Sequence, residues 1–249
     1  MSFHLFTYTG LVTAGTNAKV PAVQDPAMTT INSNYLLPVD YRAKFAFAMS
    51  PTMTAARITS PSIGANYSPQ IRPINTAATI PNDPPFCSFL ESPLLLPQRE
   101  GIEMDISNTL GTPEQIYGCI GASSVDVPAA RGEVKAIRAT STTPAVANVY
   151  TTLNLLFDSS LQRGIYDVVG CDVVSATGIF FRLIFTAQVE RPGGICSNAL
   201  GNRPNQYWNQ RFIFGSYGAF QETQLPQLEI MCSGTTAVHT AWIYLVKKS

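Results

Sequence analysis

Two tyrosines, each followed sixteen residues later by an arginine in an apolar run, constrain this 249-residue chain more than any other feature. In DYRAKFAFAMSPTMTAARITSP the pair is Tyr41 and Arg57, and in GIYDVVGCDVVSATGIFFRLIF it is Tyr166 and Arg182. The frame continues in step. Leu228-Glu229-Ile230 puts its glutamate 47 residues past Arg182, and Ile102-Glu103-Met104 puts its own 46 past Arg57. Tyr244 follows Glu229 by 15, and Tyr117 follows Glu103 by 14. Four landmarks thus recur at an offset of about 125 residues, half the chain, which is the signature of a tandem duplication of one β module.

The intervals between landmarks read as strands. Tyr41 to Ser50 and Thr54 to Ser60 are two strands joined at Pro51, and Gly101 to Ile106 alternates so that Glu103 and Asp105 share a face. Gln115 to Gly121 closes the first module, and residues 122 to 132 form a linker. The second module offers Glu133 to Ala139, Asn148 to Phe157, Gly164 to Val174, Gly178 to Val189, Arg211 to Phe220, Leu225 to Cys232 and Thr236 to Val246. Seven short strands with turn signals between them predict an antiparallel sandwich, and no stretch shows three turns of amphipathic helix. The fold class is therefore all-β: two tandem antiparallel β-sandwiches, jelly-roll-like, with little or no helix. The expected division is an extended N-terminal arm or first strand over 1–40, a first sandwich over 41–127 to which 1–40 contributes, and a second sandwich over 128–249.

Within that first segment, Phe3 to Val12 reads as an edge strand or an arm. Residues 13–38, small, polar and punctuated by Pro21, Pro26 and Pro38, read as extended chain over a surface, a clamp onto a neighbour if the protein assembles. On this reading, removing residues 1–38 leaves folded sandwiches and weakens assembly.

Charge narrows the function classes. Charged residues make up only 13%, about half the usual share, and Lys+Arg and Asp+Glu balance at 16 each. A surface so poor in charge is expected to be hidden against neighbours. The absence of a basic stripe argues against sequence-specific nucleic-acid binding. Cys87, Cys119, Cys171, Cys196 and Cys232 are dispersed, as expected of reduced, buried thiols. No signal peptide and no apolar run long enough for a transmembrane segment is read, GIFFRLIF being broken by Arg182.

Candidate chemistry is sparse, and no catalytic residue, metal site or cofactor site is assigned. His239 would need Asp167 or Asp172 as its orienting acid and has no nucleophile elbow, so it reads as a strand residue. Glu103 and Asp105 read as a solvated strand face. One candidate interaction surface remains, the loop from Arg191 to Gln210, with Arg191, Asn202, Arg203, Tyr207 and Trp208. Its aromatic rings flanked by amides can stack on a sugar or anchor a protein contact, or else cover the end of the sandwich core.

The paired frame, Tyr41…Arg57…Glu103…Tyr117 and Tyr166…Arg182…Glu229…Tyr244, resembles the double jelly-roll major capsid proteins of tailless icosahedral viruses, membrane-containing phages among them. The resemblance is architectural and covers most of residues 41–245. It implies a homotrimer of pseudo-sixfold outline assembling into a shell, with other virion proteins as further partners, synthesised in the host cytoplasm and located in the virion. The family often carries a helix after one strand of each sandwich, and none is read here. Two other function classes stand beside it. One is a carbohydrate- or receptor-binding module of a spike, vertex or decoration protein, with Tyr207 and Trp208 as platform; the other is a hydrolase that would depend on His239.

Overall fold

Eighteen prolines and seventeen glycines cut the chain into short pieces, and β-branched and aromatic residues fill many of the intervals. A computed structural model describes residues 3–13, 15–50, 53–64, 70–71, 74–75, 86–108, 113–125, 128, 130–197 and 215–248, and among them it contains strands and no helix. The chain divides into two compact units, Leu5–Thr79 with Pro84–Ser124, and Val125–Ser249 with Met1–His4.

The strands of the N-terminal half are β1 (Phe3–Val12), β2 (Gly15–Val20), β3 (Thr29–Ile31), β4 (Asn34–Leu36), β5 (Tyr41–Ser50) and β6 (Met53–Thr59). They continue with β7 (Gln70–Ile71), β8 (Ile74–Asn75), β9 (Phe86–Ser88), β10 (Leu94–Leu96), β11 (Gly101–Asn108) and β12 (Glu114–Ser123). One sheet has the order β1-β12-β5-β10, and the other carries β2, β11, β6 and β7 side by side, with the hairpin β3–β4 added along β11. The C-terminal half supplies β13 (Val134–Ser141), β14 (Tyr150–Leu153), β15 (Leu156–Phe157), β16 (Ile165–Ser175) and β17 (Gly178–Ile184). It ends with β18 (Gly193–Ile195), β19 (Gly218–Gln221), β20 (Gln227–Cys232) and β21 (His239–Lys247). Its sheets run β13-β21-β16-β19, with β15 outside β13, and β14-β20-β17-β18.

Counted within each unit, the eight shared strands run first-eighth-third-sixth in one sheet and second-seventh-fourth-fifth in the other. That order is the jelly roll with its two Greek keys, and it occurs twice. The two copies also share an irregularity. In the first, Gly121 pairs with Phe45 and Ala122 with Ala43, so the register steps over Lys44. In the second, Tyr244 pairs with Gly170 and Leu245 with Val168, stepping over Val169, which lies 125 residues beyond Lys44. A bulge at one position of one strand is a specific register device, so its repetition is independent support for the duplication.

Some expectations need correcting. Residues 13–38 do not run loosely over a surface. They form β2 and the hairpin β3–β4, while β1, expected as an edge strand or an arm, is the strand: it pairs with β12 and, through Thr7 and Thr9, bonds residues 21–23. Leu5, Phe6, Tyr8, Tyr35 and Leu37 are at most 1% exposed. The reason lies in the aromatic residues between the polar ones. Phe6 meets Tyr35 and Tyr41 edge-on at 5.2 and 5.3 Å, and Tyr8 meets Tyr35 at 5.4 Å. The tyrosine hydroxyls are satisfied inside: Tyr8 donates to the Ile102 carbonyl at 3.0 Å and Tyr35 to that of Val23 at 2.6 Å. Each such ring contributes about 1.5–3 kcal/mol by burial, with an edge-on pair adding about 1 kcal/mol. The expected strand 148–157 breaks into β14 and β15 at Asn154-Leu155, and that expected over 178–189 stops at Ile184.

Candidate functional site

Of the candidate surface loop, Arg191 lies among the described residues; Asn202, Arg203, Tyr207 and Trp208 lie outside them, so the aromatic platform has no structural account here. Arg191 is not a free surface cation. Its guanidinium reaches Glu229 Oε2 at 3.1 Å, and the same oxygen accepts from Arg182 Nε at 2.5 Å. The strands dictate this meeting. Arg182 stands in β17 opposite Glu229 of β20 on one side and Gly193 of β18 on the other. A Cβ on Gly193 would fall 2.0 Å from the Phe181 carbonyl oxygen, so only glycine lets β18 approach β17 this closely and bring Arg191 to the acid. The Tyr150 ring of β14 covers the Arg182 guanidinium at 3.8 Å, and Thr152 adds a hydroxyl to Glu229 at 3.3 Å. The side chains of Arg182, Glu229 and Arg191 are 3%, 12% and 15% exposed, making a largely buried Arg–Glu–Arg triad. The Arg191 backbone N–H also donates to Nδ1 of the buried His4 at 3.1 Å.

The first jelly roll answers with a different arrangement at the matching place. Register sets Asp105 of β11, not Glu103, opposite Arg57 of β6, and the two pair at 3.2 Å with Thr59 nearby at 3.5 Å. The third landmark of the frame therefore slips by two residues. Glu103 shares the face, as the alternation predicted, and accepts from Lys19 and Asn34, each at 2.6 Å. The face is not simply solvated: Asp105 is buried and both acids are ion-paired. Tyr117 also slips, because pairing makes Gly121 the counterpart of Tyr244.

His239 is buried with both ring nitrogens engaged, Nδ1 with the Ser175 hydroxyl and Nε2 with the Thr143 carbonyl, each at 3.1 Å. If Nε2–H donates to that carbonyl, Nδ1 accepts from Ser175, the neutral form favoured by burial, which pulls the imidazole below its ordinary value. Neither expected acid is its orienting partner. Asp167 accepts from the Ala130 backbone N–H and the Ser216 hydroxyl, and Asp172 from the Tyr244 hydroxyl at 3.0 Å. Burial pushes the Asp172 carboxyl up, opposed by that hydrogen bond. It also pushes up the thiols of Cys119, Cys171, Cys196 and Cys232, all unbridged, consistent with their reading as reduced, buried thiols.

Two surfaces escaped the sequence reading. One is an end of the second jelly roll where residues 139–157, 173–181 and 230–246 carry no charged side chain. Hydrogen bonds from Ala145 to Thr236, Asn148 to Cys232 and Ser233 to Thr177 tie its loops together, with Val146, Val149 and Val238 exposed. The other is the outer face of the sheet β13-β21-β16-β19, with Trp242 and Tyr244 at alternate positions of β21. The alternation in HTAWIYLV was a legible signal, but it could not say which face turned outward.

No protein-family model matches the chain, and no curated protein matches its sequence. Among solved structures it is similar in architecture to the crystal structure of the major capsid protein P2 from Bacteriophage PM2, at 8% identity and a TM-score of 0.25, over 99% of this chain and 98% of that one.

Proposed function

We propose that this chain is a structural virion protein without enzymatic activity, the self-assembling major subunit of an icosahedral shell, and that it works as a trimer in a bacteriophage particle. The observation that carries the proposal is the doubled jelly roll. Two units of one strand order in one chain are two near-equivalent building blocks, so three chains supply six, and a head-to-tail contact between unlike patches closes into such a ring. Low charge supports it, because a chain with 13% charged residues and no net charge has little electrostatic resistance to packing against itself. The uncharged, valine-bearing loop end offers surface for such packing. Its location would be the virion and its partners copies of itself, with other virion proteins at the shell's special positions.

The test is the mass and outline of the purified native protein, by light scattering and then electron microscopy of the same sample. Closed shells, or trimers with hexagonal outlines, are the expected result. A monomer that persists at high concentration would overturn the proposal and move attention to glycan retention by Trp208.

A further inference from the structure

Glu103 holds two side chains of different chemistry on one atom. Its Oε1 accepts from Lys19 Nζ and from Asn34 Nδ2, each at 2.6 Å. The backbone sets this meeting. Strands β4 and β2 pair in turn with β11, β4 at Gly101 and Ile102 and β2 from Met104 onward, so Glu103 stands at the junction between them. Asn32 and Ser33, both at positive φ, make the tight turn that returns Asn34 beside Ile31. The Ala22 N–H donates to the Ser33 carbonyl at 2.8 Å, tying the chain after β2 to that hairpin.

Two nitrogens bonded to one oxygen are close neighbours, within reach of the separation of about 3–3.5 Å at which a nucleophile attacks. An amine, a carboxamide and a carboxylate touching both make a complete set for amide exchange: nucleophile, acyl group and proton carrier. Glu229 of the second jelly roll instead binds the guanidiniums of Arg182 and Arg191, which stay protonated and do not act as nucleophiles.

We propose that Lys19 and Asn34 become joined by a side-chain amide, with Glu103 carrying the proton and the chain modifying itself once. Lys19 Nζ gives a proton to the Glu103 carboxylate, and the freed lone pair attacks Asn34 Cγ to form the new C–N bond. Glu103 delivers that proton to Nδ2, the Cγ–Nδ2 bond breaks and ammonia leaves. The second proton that Nζ loses goes to water. No electrons change hands, so no oxidant is needed. The Lys19 side chain is 56% exposed, so water competes for its amine and the bond forms slowly after folding. The product fastens β2 to the hairpin β3–β4 beside β11 and removes one positive charge. This inference stands independently of the self-assembly reading.

Mass spectrometry of the full-length protein, incubated after folding, tests it. A species lighter by one ammonia should accumulate. Acylated Lys19 resists trypsin, and no other lysine or arginine precedes Arg42, so that species should yield Met1–Arg42 as one peptide whose fragments join Lys19 to Asn34. Glu103→Gln should slow its appearance at least tenfold and Lys19→Arg should abolish it, both with an unchanged circular dichroism spectrum. A light species that persists in Lys19→Arg is an asparagine succinimide and overturns the proposal, and a cross-link that forms equally fast in Glu103→Gln overturns the role of Glu103. Wild-type protein that keeps its full mass and is cleaved at Lys19 throughout also overturns it, a result that needs no variant to fold.

Discussion

The two jelly rolls share strand order and bulge, yet they fill the same positions with different chemistry. In the first, Arg57 faces Asp105 and Lys19 faces Glu103, so two acids meet two bases. In the second, one acid holds two arginines under an aromatic ring. On the outer faces, Phe45 lies against Gly121, while at the equivalent pair the large residue has changed strands, Tyr244 standing opposite Gly170. Duplication has kept what the backbone fixes, the register and the bulge, and has let side-chain volume and charge redistribute across each strand pair. Identities between the halves are sparse for that reason, because packing constrains combined volume more tightly than residue type.

The severest test of the comparison is to remove residues 1–38. This should abolish cooperative unfolding of the first unit, because β1, β2 and the hairpin β3–β4 leave with the Phe6, Tyr8 and Tyr35 rings. Circular dichroism and a urea titration would show it, and a folded truncated protein would restore the arm reading. Next in size, Glu229→Ala should destabilise the second unit by about 3–5 kcal/mol, since it strands two arginines in a largely buried site. Asp105→Ala should cost less, about 1–3 kcal/mol, because Arg57, 20% exposed, can rehydrate. Equal costs in urea titrations would show that burial does not distinguish the two sites.

Smaller again is the volume exchange. A Cβ on Gly121 would sit 2.1 Å from the Phe45 ring, so Gly121→Ala should cost about 1–3 kcal/mol. Combining Phe45→Gly with Gly121→Tyr, which imports the second unit's arrangement, should recover part of that loss in a double-mutant cycle. The smallest effect belongs to His239. Its folded-state value lies below the ordinary 6.5, so its contribution is complete above that pH. As pH falls below 6.5 the unfolded chain takes up the proton first, and stability declines until the folded-state value is passed. Melting temperatures between pH 7 and 5 should fall more steeply for wild type than for His239→Gln, and parallel curves would remove His239 from the account.

Much of the fold was legible because apolar alternation and a repeated frame report on backbone periodicity, which sequence displays directly. Tyr41, Arg57, Tyr166, Arg182 and Glu229 each fell in the strand that its counterpart predicts. What stayed hidden was pairing. Nothing local says that Arg57 meets Asp105 rather than Glu103, since both acids point the same way and only the register across β6 and β11 chooses. The N-terminal segment misled for a related reason: its prolines and polar residues are genuine loop signals, but Tyr35 and Leu37 act through rings and strands far along the chain.

That first and last strands pair within each unit also governs how the protein can be made. On one side β1 bonds nearby residues 21–23 and β13 bonds β15, but the other edge of β1 finds β12 only more than a hundred residues later, and that of β13 must wait in the same way for β21. A chain leaving the ribosome therefore carries an open, apolar strand edge until the last strand of each unit emerges, the condition under which β proteins aggregate. Slow synthesis at low temperature, or a chaperone that shields Phe3–Val12, should raise the soluble yield far more than any change to the finished surface.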